Sequence, residues 1–286
     1  MKKFFGGNKY TPNGYSKEVE EKVQDCIRRG YHMPKRTLLR SKEQIEGIRA
    51  AGKINQALLD FITPLVKEGV TTAEIDHAVY AFTTDHDAIP APFLYDGFPK
   101  SSCISLNDVV CHGIPSVKEV IKNGDIVNVD VTTIYKGYFA DASRMFMIGN
   151  VSEENQKLVR VAKECRDIGV EMAKPWARLG DIGEAIQKHA ETNGYSVVRD
   201  LCGHGCGVKF HEDPNVNHYG KAGTGMVLVP GMTFTIEPMI NAGDWHVCGD
   251  EEDETEWIVL TEDCSDSAQW EHTYVMTENG VEILTH

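Results

Sequence analysis

The run CGHGCGVKFHEDP, residues 202 to 214, sets two histidines, His204 and His211, among three glycines. Imidazole is the commonest metal ligand and the side chain most able to exchange protons near neutrality. Gly203, Gly205 and Gly207 point to backbone that something approaches closely. Two histidines at this spacing either share one task or hold two. Four carboxylates recur in a different setting: Asp130 in VNVDVT, Asp141 in GYFADASRMF, Glu237 in FTIEP and Glu271 in SAQWEHTYVMT. Any one of them could sit on an exposed strand face. Four, each among β-branched and aromatic neighbours, read as buried. A buried carboxylate must be paired, protonated or bound to metal, and no arginine or lysine accompanies each of these. Four carboxylates and an imidazole would instead balance a pair of divalent cations. Two bridging carboxylates would hold the ions about 3.5–4 Å apart, the spacing of two-metal hydrolases. Mixed oxygen and nitrogen ligation admits Mn, Fe, Co or Zn. The chemistry this predicts is hydrolysis by metal-activated water.

Holding four acids on separate strands requires a scaffold, and the chain is written as two similar halves. SKEQIEGIRAAGKINQALLDFITPLV opens on Ser41 with Gln44 three positions on, a capping-box spacing, and continues at helical period. SEENQKLVRVAKECRDIGVEMAK repeats the pattern from Ser152, with acids in its first turn. Each is followed by a second helical segment, TTAEIDHAVYAFTT and then GDIGEAIQKHAET. NGDIVNVDV and PGMTFTIEP both lead from a turn glycine into a strand that ends on an acid, Gly124 to Asp130 and Gly231 to Glu237. Alternation puts Val127, Val129 and Val131 on one strand face and Asn128 and Asp130 on the other. These patterns predict an α/β (α+β) domain over 41–286. Its two pseudo-symmetric halves span about 41–150 and 151–286, with the site between them.

Composition limits the partners. With 286 residues and 41% hydrophobic content, the chain can build one large core. A net charge of −14 argues against specific DNA binding and against an anionic membrane surface. That charge is uneven: residues 1 to 42 hold eleven Lys and Arg against four acids. Residues 1–40 read as a basic N-terminal extension with one helix in SKEVEEKVQDCIRRG, where Val19, Val23, Cys26 and Ile27 fall at helical spacing. Two roles suit it. A strap packed on the acidic body is favoured over steering toward RNA-rich ribosomes, and its deletion is expected to leave turnover of a short peptide within about threefold. After Lys2 and Lys3 the apolar run is too short for a signal peptide, and no stretch is long enough to span a bilayer. The eight cysteines therefore read as free thiols in a reducing cytoplasm. CGHGC (Cys202 to Cys206) lacks a second Cys/His pair at zinc-knuckle spacing.

Taken together and in order, NDVVCHGIP, NVDVT, DASRMF, CGHGCGVKFHEDP, GMTFTIEPMINAG and SAQWEHT resemble the type I methionine aminopeptidases over roughly residues 41 to 286. The resemblance implies a pita-bread fold and removal of the initiator methionine from nascent polypeptide N-termini when the second residue is small. It implies that Asp130 chelates one ion, that Asp141 and Glu271 bridge both, and that His204 and Glu237 complete the other. His211 would stabilise the oxyanion at the scissile carbonyl, and His112 would contact the scissile nitrogen. Glu237 would also pass a proton from the water to the leaving amine. The two histidines of the opening run then hold two jobs. The methionine pocket would be walled by Tyr95, Phe98, Cys103, Phe210 and Trp257. His77, His86, His189, His218 and His246 are left as structural or surface residues, and His272 is a candidate support beside Glu271. GDEEDETE, 249 to 256, is expected to be a solvated rim loop. One rival is an Xaa-Pro peptidase of the same fold, which usually carries an extra N-terminal domain that is absent from the 40 residues preceding the first repeat. Type II enzymes carry a large insertion where only 25 residues separate His211 from Glu237. A non-catalytic binding relative would have lost ligands, and all five stand.

Overall fold

Three of the helices begin where a side chain takes up the free amides of the first turn. Ser41 with Gln44 and Thr71 with Glu74 close capping boxes, and Ser152 accepts from the Asn155 N–H. The computed structural model describes residues 17–93 and 95–285. Its helices are α1 (Lys17–Arg28), α2 (Lys42–Ile62), α3 (Thr72–Asp85), α4 (Glu153–Met172) and α5 (Leu179–Thr192). The first half contributes strands β1 (Ile89–Pro90), β2 (Cys103–Leu106), β3 (Val109–Cys111), β4 (Ile126–Tyr135) and β5 (Tyr138–Met147). The second contributes β6 (Ser196–Val197), β7 (Gly203–Gly205), β8 (Glu212–Val216), β9 (Thr233–Ile236), β10 (Met239–Asn241), β11 (Val247–Gly249), β12 (Val259–Thr261), β13 (Ser267–Gln269), β14 (Glu271–Thr277) and β15 (Gly280–Ile283).

The large sheet runs β1-β4-β5-β14-β9-β7-β8, with β2 on β4 and β15 on β14. Its middle joint, β5 to β14, pairs Glu271 with Ser143 and so fuses the two halves at the acids. The repeat read from sequence is visible in backbone detail. Gly124 and Gly231 both have φ of +100°, a conformation that favours glycine. Each donates its N–H to the far end of the partner strand, Gly124 to the Ile148 carbonyl and Gly231 to that of Met276. The halves differ in connection. β4 and β5 form a tight hairpin turning at Lys136 and Gly137, whereas the chain between β9 and β14 also builds β10 to β13.

Val127, Val129 and Val131 are fully buried under α2 and α3, packed with Leu58, Leu59, Ile62, Ile75 and Val79. Phe234 and Ile236 of β9 are buried with Leu158, Ala162, Ile182 and Ile186 of α4 and α5. The acids line a cavity on the other face of this one sheet. Residues 17–40 lie on the second half. Tyr31, Met33 and Leu39 pack on its core, His32 bridges Met226, and Leu39 bridges Met232. On α1 the expected apolar stripe is only partly used: Val19 and Cys26 are buried, while Ile27 is half exposed.

Candidate metal centre

Strand register sets the acids side by side. Asp130 on β4 faces Ser143 on β5, which faces Glu271 on β14. One row further along, Thr132 faces Asp141, and the Asp141 N–H donates to Thr273 Oγ1 of β14. Asp130 and Asp141 are thus diagonal neighbours on one face, close enough to share a hydrogen bond. Glu237 follows β9, the strand on the far side of β14, and its side chain reaches Glu271. Burial holds all four carboxyls above their ordinary range. Asp141 is pushed up to about 7 and Glu237 to about 8, and Asp130 and Glu271 rise well above the usual values, with neighbouring acids adding to the effect for the last two.

His204 supplies the most direct test of what this cluster can hold. Its Nδ1 lies 3.0 Å from the Gly205 carbonyl, an acceptor only, so Nδ1 carries the proton. Nε2 is left as a lone pair, and it points at Glu237 Oε1 at 3.5 Å and Asp141 Oδ2 at 3.7 Å. Burial holds the imidazole down to about 4, so it is neutral and cannot pair with the acids as a cation. Once these carboxyls ionise, lone pairs converge on lone pairs and call for a cation between them. Asp141, His204 and Glu271 offer ligand atoms within 4.8 Å of one another, and Glu271 Oε1 is buried with no hydrogen-bond partner. The donor set fits divalent transition metal.

All twelve residues singled out in the sequence line one cavity of about 290 Å³: Asp130, Asp141, His204, Glu237 and Glu271 on its floor, with His112, His211, Tyr95, Phe98, Cys103, Phe210 and Trp257 around it. His211 stands beside His204, ring centres 4.3 Å apart, and Phe210 stacks on it at 4.1 Å. Its Nδ1 lies 3.1 Å from the Tyr95 hydroxyl. His112 sits at φ +58°, uncommon for a residue with a side chain. It meets the Trp257 ring edge to face and hydrogen-bonds the Trp257 backbone. Burial brings both His112 and His211 down to about 4, each helped by a neighbouring histidine. Asp253 of the acidic loop accepts the Trp257 and Ile258 N–H groups, so that otherwise exposed loop also anchors one wall.

Several contributors escaped sequence reasoning. Gln269 donates to Glu237 Oε2 at 3.1 Å, and Thr235 donates to Glu237 Oε1 at 2.6 Å. Thr132 donates to Asp141 Oδ1 at 2.6 Å. Thr235 and Thr132 stand two positions from an acid on the same strand face, a signal that period-2 alternation carried all along. His218, expected to be merely structural or on the surface, is buried and accepts the Glu237 N–H through Nε2. His272 turns the other way: it follows Glu271 in the strand, so its ring faces the opposite side and meets Thr285. The glycines of the opening run are approached by the protein itself. A Cβ on Gly205 would meet the Asp213 carbonyl, one on Gly203 that of Thr235, and one on Gly207 the side chain of Ile48.

Residues 46–278 match the profile of metallopeptidase family M24. The chain is 52% identical to methionine aminopeptidase A of Synechocystis over 249 residues, covering 87% of this chain and 97% of that one. The crystal structure of methionine aminopeptidase from Rickettsia prowazekii superposes with a TM-score of 0.84 at 48% identity, over 87% of this chain and 99% of that one. The Thermotoga maritima methionine aminopeptidase superposes equally well, with a TM-score of 0.84 at 39% identity, over 86% and 98%.

Proposed function

The chain belongs to metallopeptidase family M24 and, within it, to the type I methionine aminopeptidases, and from that premise we propose how its cavity releases an N-terminal methionine. Asp130, Asp141, His204, Glu237 and Glu271 would together hold the divalent cations. The cations are drawn from Co, Mn, Fe and Zn. When bound they supply Lewis-acid polarisation of the carbonyl and a more acidic water. The observation that carries this assignment is the unprotonated Nε2 of His204 aimed at two buried carboxylates.

The remaining steps belong to the chain's own side chains. Glu237, steadied by Thr235 and Gln269, takes a proton from the attacking water and returns it to the leaving amine. The Tyr95 hydroxyl donates to His211 Nδ1, which leaves Nε2–H to donate to the carbonyl oxygen as negative charge develops there. His112, held at Trp257, contacts the scissile nitrogen. Tyr95, Phe98, Cys103, Phe210 and Trp257 enclose the unbranched thioether, and sulfur–aromatic contact favours it. A small second side chain is the preference that membership of the type I enzymes implies.

We place this activity on nascent polypeptide N-termini in the cytoplasm. The eight cysteines are all unpaired, as a reducing compartment keeps them, and among the described residues no helix is long and apolar enough to cross a membrane. Of the two roles weighed for the N-terminal extension, its packing on the second half supports the strap rather than ribosome docking. An Xaa-Pro specificity is not favoured, because relatives at about half identity are methionine aminopeptidases. The test is methionine release from Met-Gly, Met-Ala and Met-Ser peptides against Met-Lys and Met-Phe. Release from the first group should vanish with chelator and return with a divalent transition metal. Full turnover by rigorously metal-free protein would overturn the metal assignment, and equal kcat/KM for Met-Gly and Met-Phe would overturn the substrate assignment.

A further inference from the structure

Arg40 is the last residue of the extension, yet its side chain is only 3% exposed. Its guanidinium Nη2 lies 2.5 Å from Glu212 Oε1, and the Glu212 side chain is itself only 12% exposed. Nε donates to Thr233 Oγ1 at 3.0 Å, Nη1 donates to the Thr37 carbonyl, and the Arg40 backbone N–H donates to the Gly231 carbonyl. Thr233 ties the fork to β9, the strand that leads to Glu237, Thr37 ties it to the extension, and Nη2 faces Glu212 as an ion pair without a hydrogen bond of its own. Glu212 passes the restraint onward. Its Oε1 also accepts the Val208 and Lys209 N–H groups at 3.3 and 3.4 Å, drawing residues 208–212 into a closed loop. That loop presents Phe210 and His211 to the cavity. Besides the Tyr95 bond, the His211 ring stacks on Phe210, a neighbour in the same loop, and meets His204 edge to face, while its backbone belongs to the loop that Glu212 closes. The loop therefore sets where the ring meets Tyr95 and His204.

We propose that the Arg40–Glu212 pair is a positioning device for His211, so that the N-terminal extension contributes to turnover from the layer behind the cavity. The proposal rests on the reading of His211 as the donor to the scissile carbonyl. A buried ion pair adds little stability compared with apolar residues of equal volume but can fix one arrangement of the chain. Oxyanion donors need that, because small displacements of a catalytic group are costly in rate. Near-normal turnover after deletion of residues 1–40 is accordingly no longer expected.

The test is the paired replacement Arg40→Met with Glu212→Gln. It preserves volume, removes both charges together, and leaves an amide oxygen for the Val208 and Lys209 N–H groups. In the metal-loaded full chain it should lower kcat on a Met-Ala peptide by about ten- to a hundredfold, with KM and metal content within about twofold of the parent. Placed on top of His211→Ala it should cost less than about twofold more, because groups that act as one unit do not add. Arg40→Lys, which keeps the charge, should retain at least about a third of kcat and serves as the readout if the paired variant does not fold. A paired variant with kcat within twofold of the parent, an Arg40→Lys variant as impaired as His211→Ala, or a full ten- to hundredfold loss added to His211→Ala would each overturn the proposal. Wild-type kcat in His211→Ala alone would instead overturn the reading on which it rests.

Discussion

His204 and His211 are seven residues apart and differ in which nitrogen the surroundings leave available. At His204 the Gly205 carbonyl accepts the Nδ1–H, which leaves Nε2 with a free lone pair, the proposed ligand atom. At His211 the partner of Nδ1 is the Tyr95 hydroxyl, 3.1 Å away, and in the proposed mechanism that hydroxyl donates to Nδ1 and leaves Nε2–H for the carbonyl oxygen. Separate losses follow. His211→Ala should keep its metal and lose about 10²–10³ in kcat, the usual cost of one oxyanion donor. His204→Ala should lose metal occupancy, read by elemental analysis after gel filtration; equal metal loss in the two variants would contradict the division of labour. Tyr95→Phe keeps the pocket wall and deletes only the hydroxyl that bonds His211 Nδ1. It should lower kcat by about tenfold, the scale of one hydrogen bond, while KM for Met-Ala stays within about twofold. A change confined to KM would make Tyr95 a wall residue alone.

β7 and β8 form the element on which both histidines depend. Gly205 pairs with Glu212 across this hairpin, and a methyl group there would collide with the Asp213 carbonyl, which is backbone and cannot swing aside. Gly205→Ala should therefore part the strands and destabilise the protein by roughly 2–4 kcal/mol, as overpacking against backbone does. The midpoint of urea unfolding checks this, and an unchanged midpoint would mean that the hairpin yields without cost. Activity should fall with it, because His204 and the Phe210–His211 loop lie at the two sides of the same pairing.

For the whole molecule, the site is a store of electrostatic cost that bound metal relieves. Without metal, the four carboxyls have folded pKa values raised above their unfolded ones by burial, Asp141 to about 7 and Glu237 to about 8. Such groups favour the fold while protonated, and that contribution is lost as pH rises through the folded values. The buried histidines work in the opposite sense. His112, His204 and His211 stand at about 4 and His218 at about 3, against an ordinary value of 6.5, so they weaken the fold as pH falls below 6.5. Above pH 6.5 the histidine penalty fades while the carboxyl contribution is lost, and the four carboxyls set the direction of change up to about pH 8. Chelator-treated protein should lose thermal stability across that window, and metal-loaded protein should lose much less. Parallel melting curves at pH 6.5 and 8.5, with and without metal, measure both. An equal drop in the two forms would show that the acids are not where the cations bind.

Much of this was legible in the residues because it is local. Capping boxes at Ser41 and Thr71 act over three positions, and alternation along VNVDVT separates the valines of the core from Asp130 over two. The motif order, with Gly124 and Gly231 each six residues before an acid, announced the duplication and its chemistry. Tertiary structure alone decided what depends on distant segments meeting. The β5–β14 joint sets Glu271 beside the first-half acids, Gln269 reaches Glu237, and His218 turns inward to the Glu237 amide. Arg40 belongs to the same class. In sequence it is one more base in a basic arm; in the fold it is buried against Glu212, 172 positions away. Periodicity and capping report interactions within a few residues, whereas the partner of a buried charge is set by which chain segments pack together, and no local pattern encodes that.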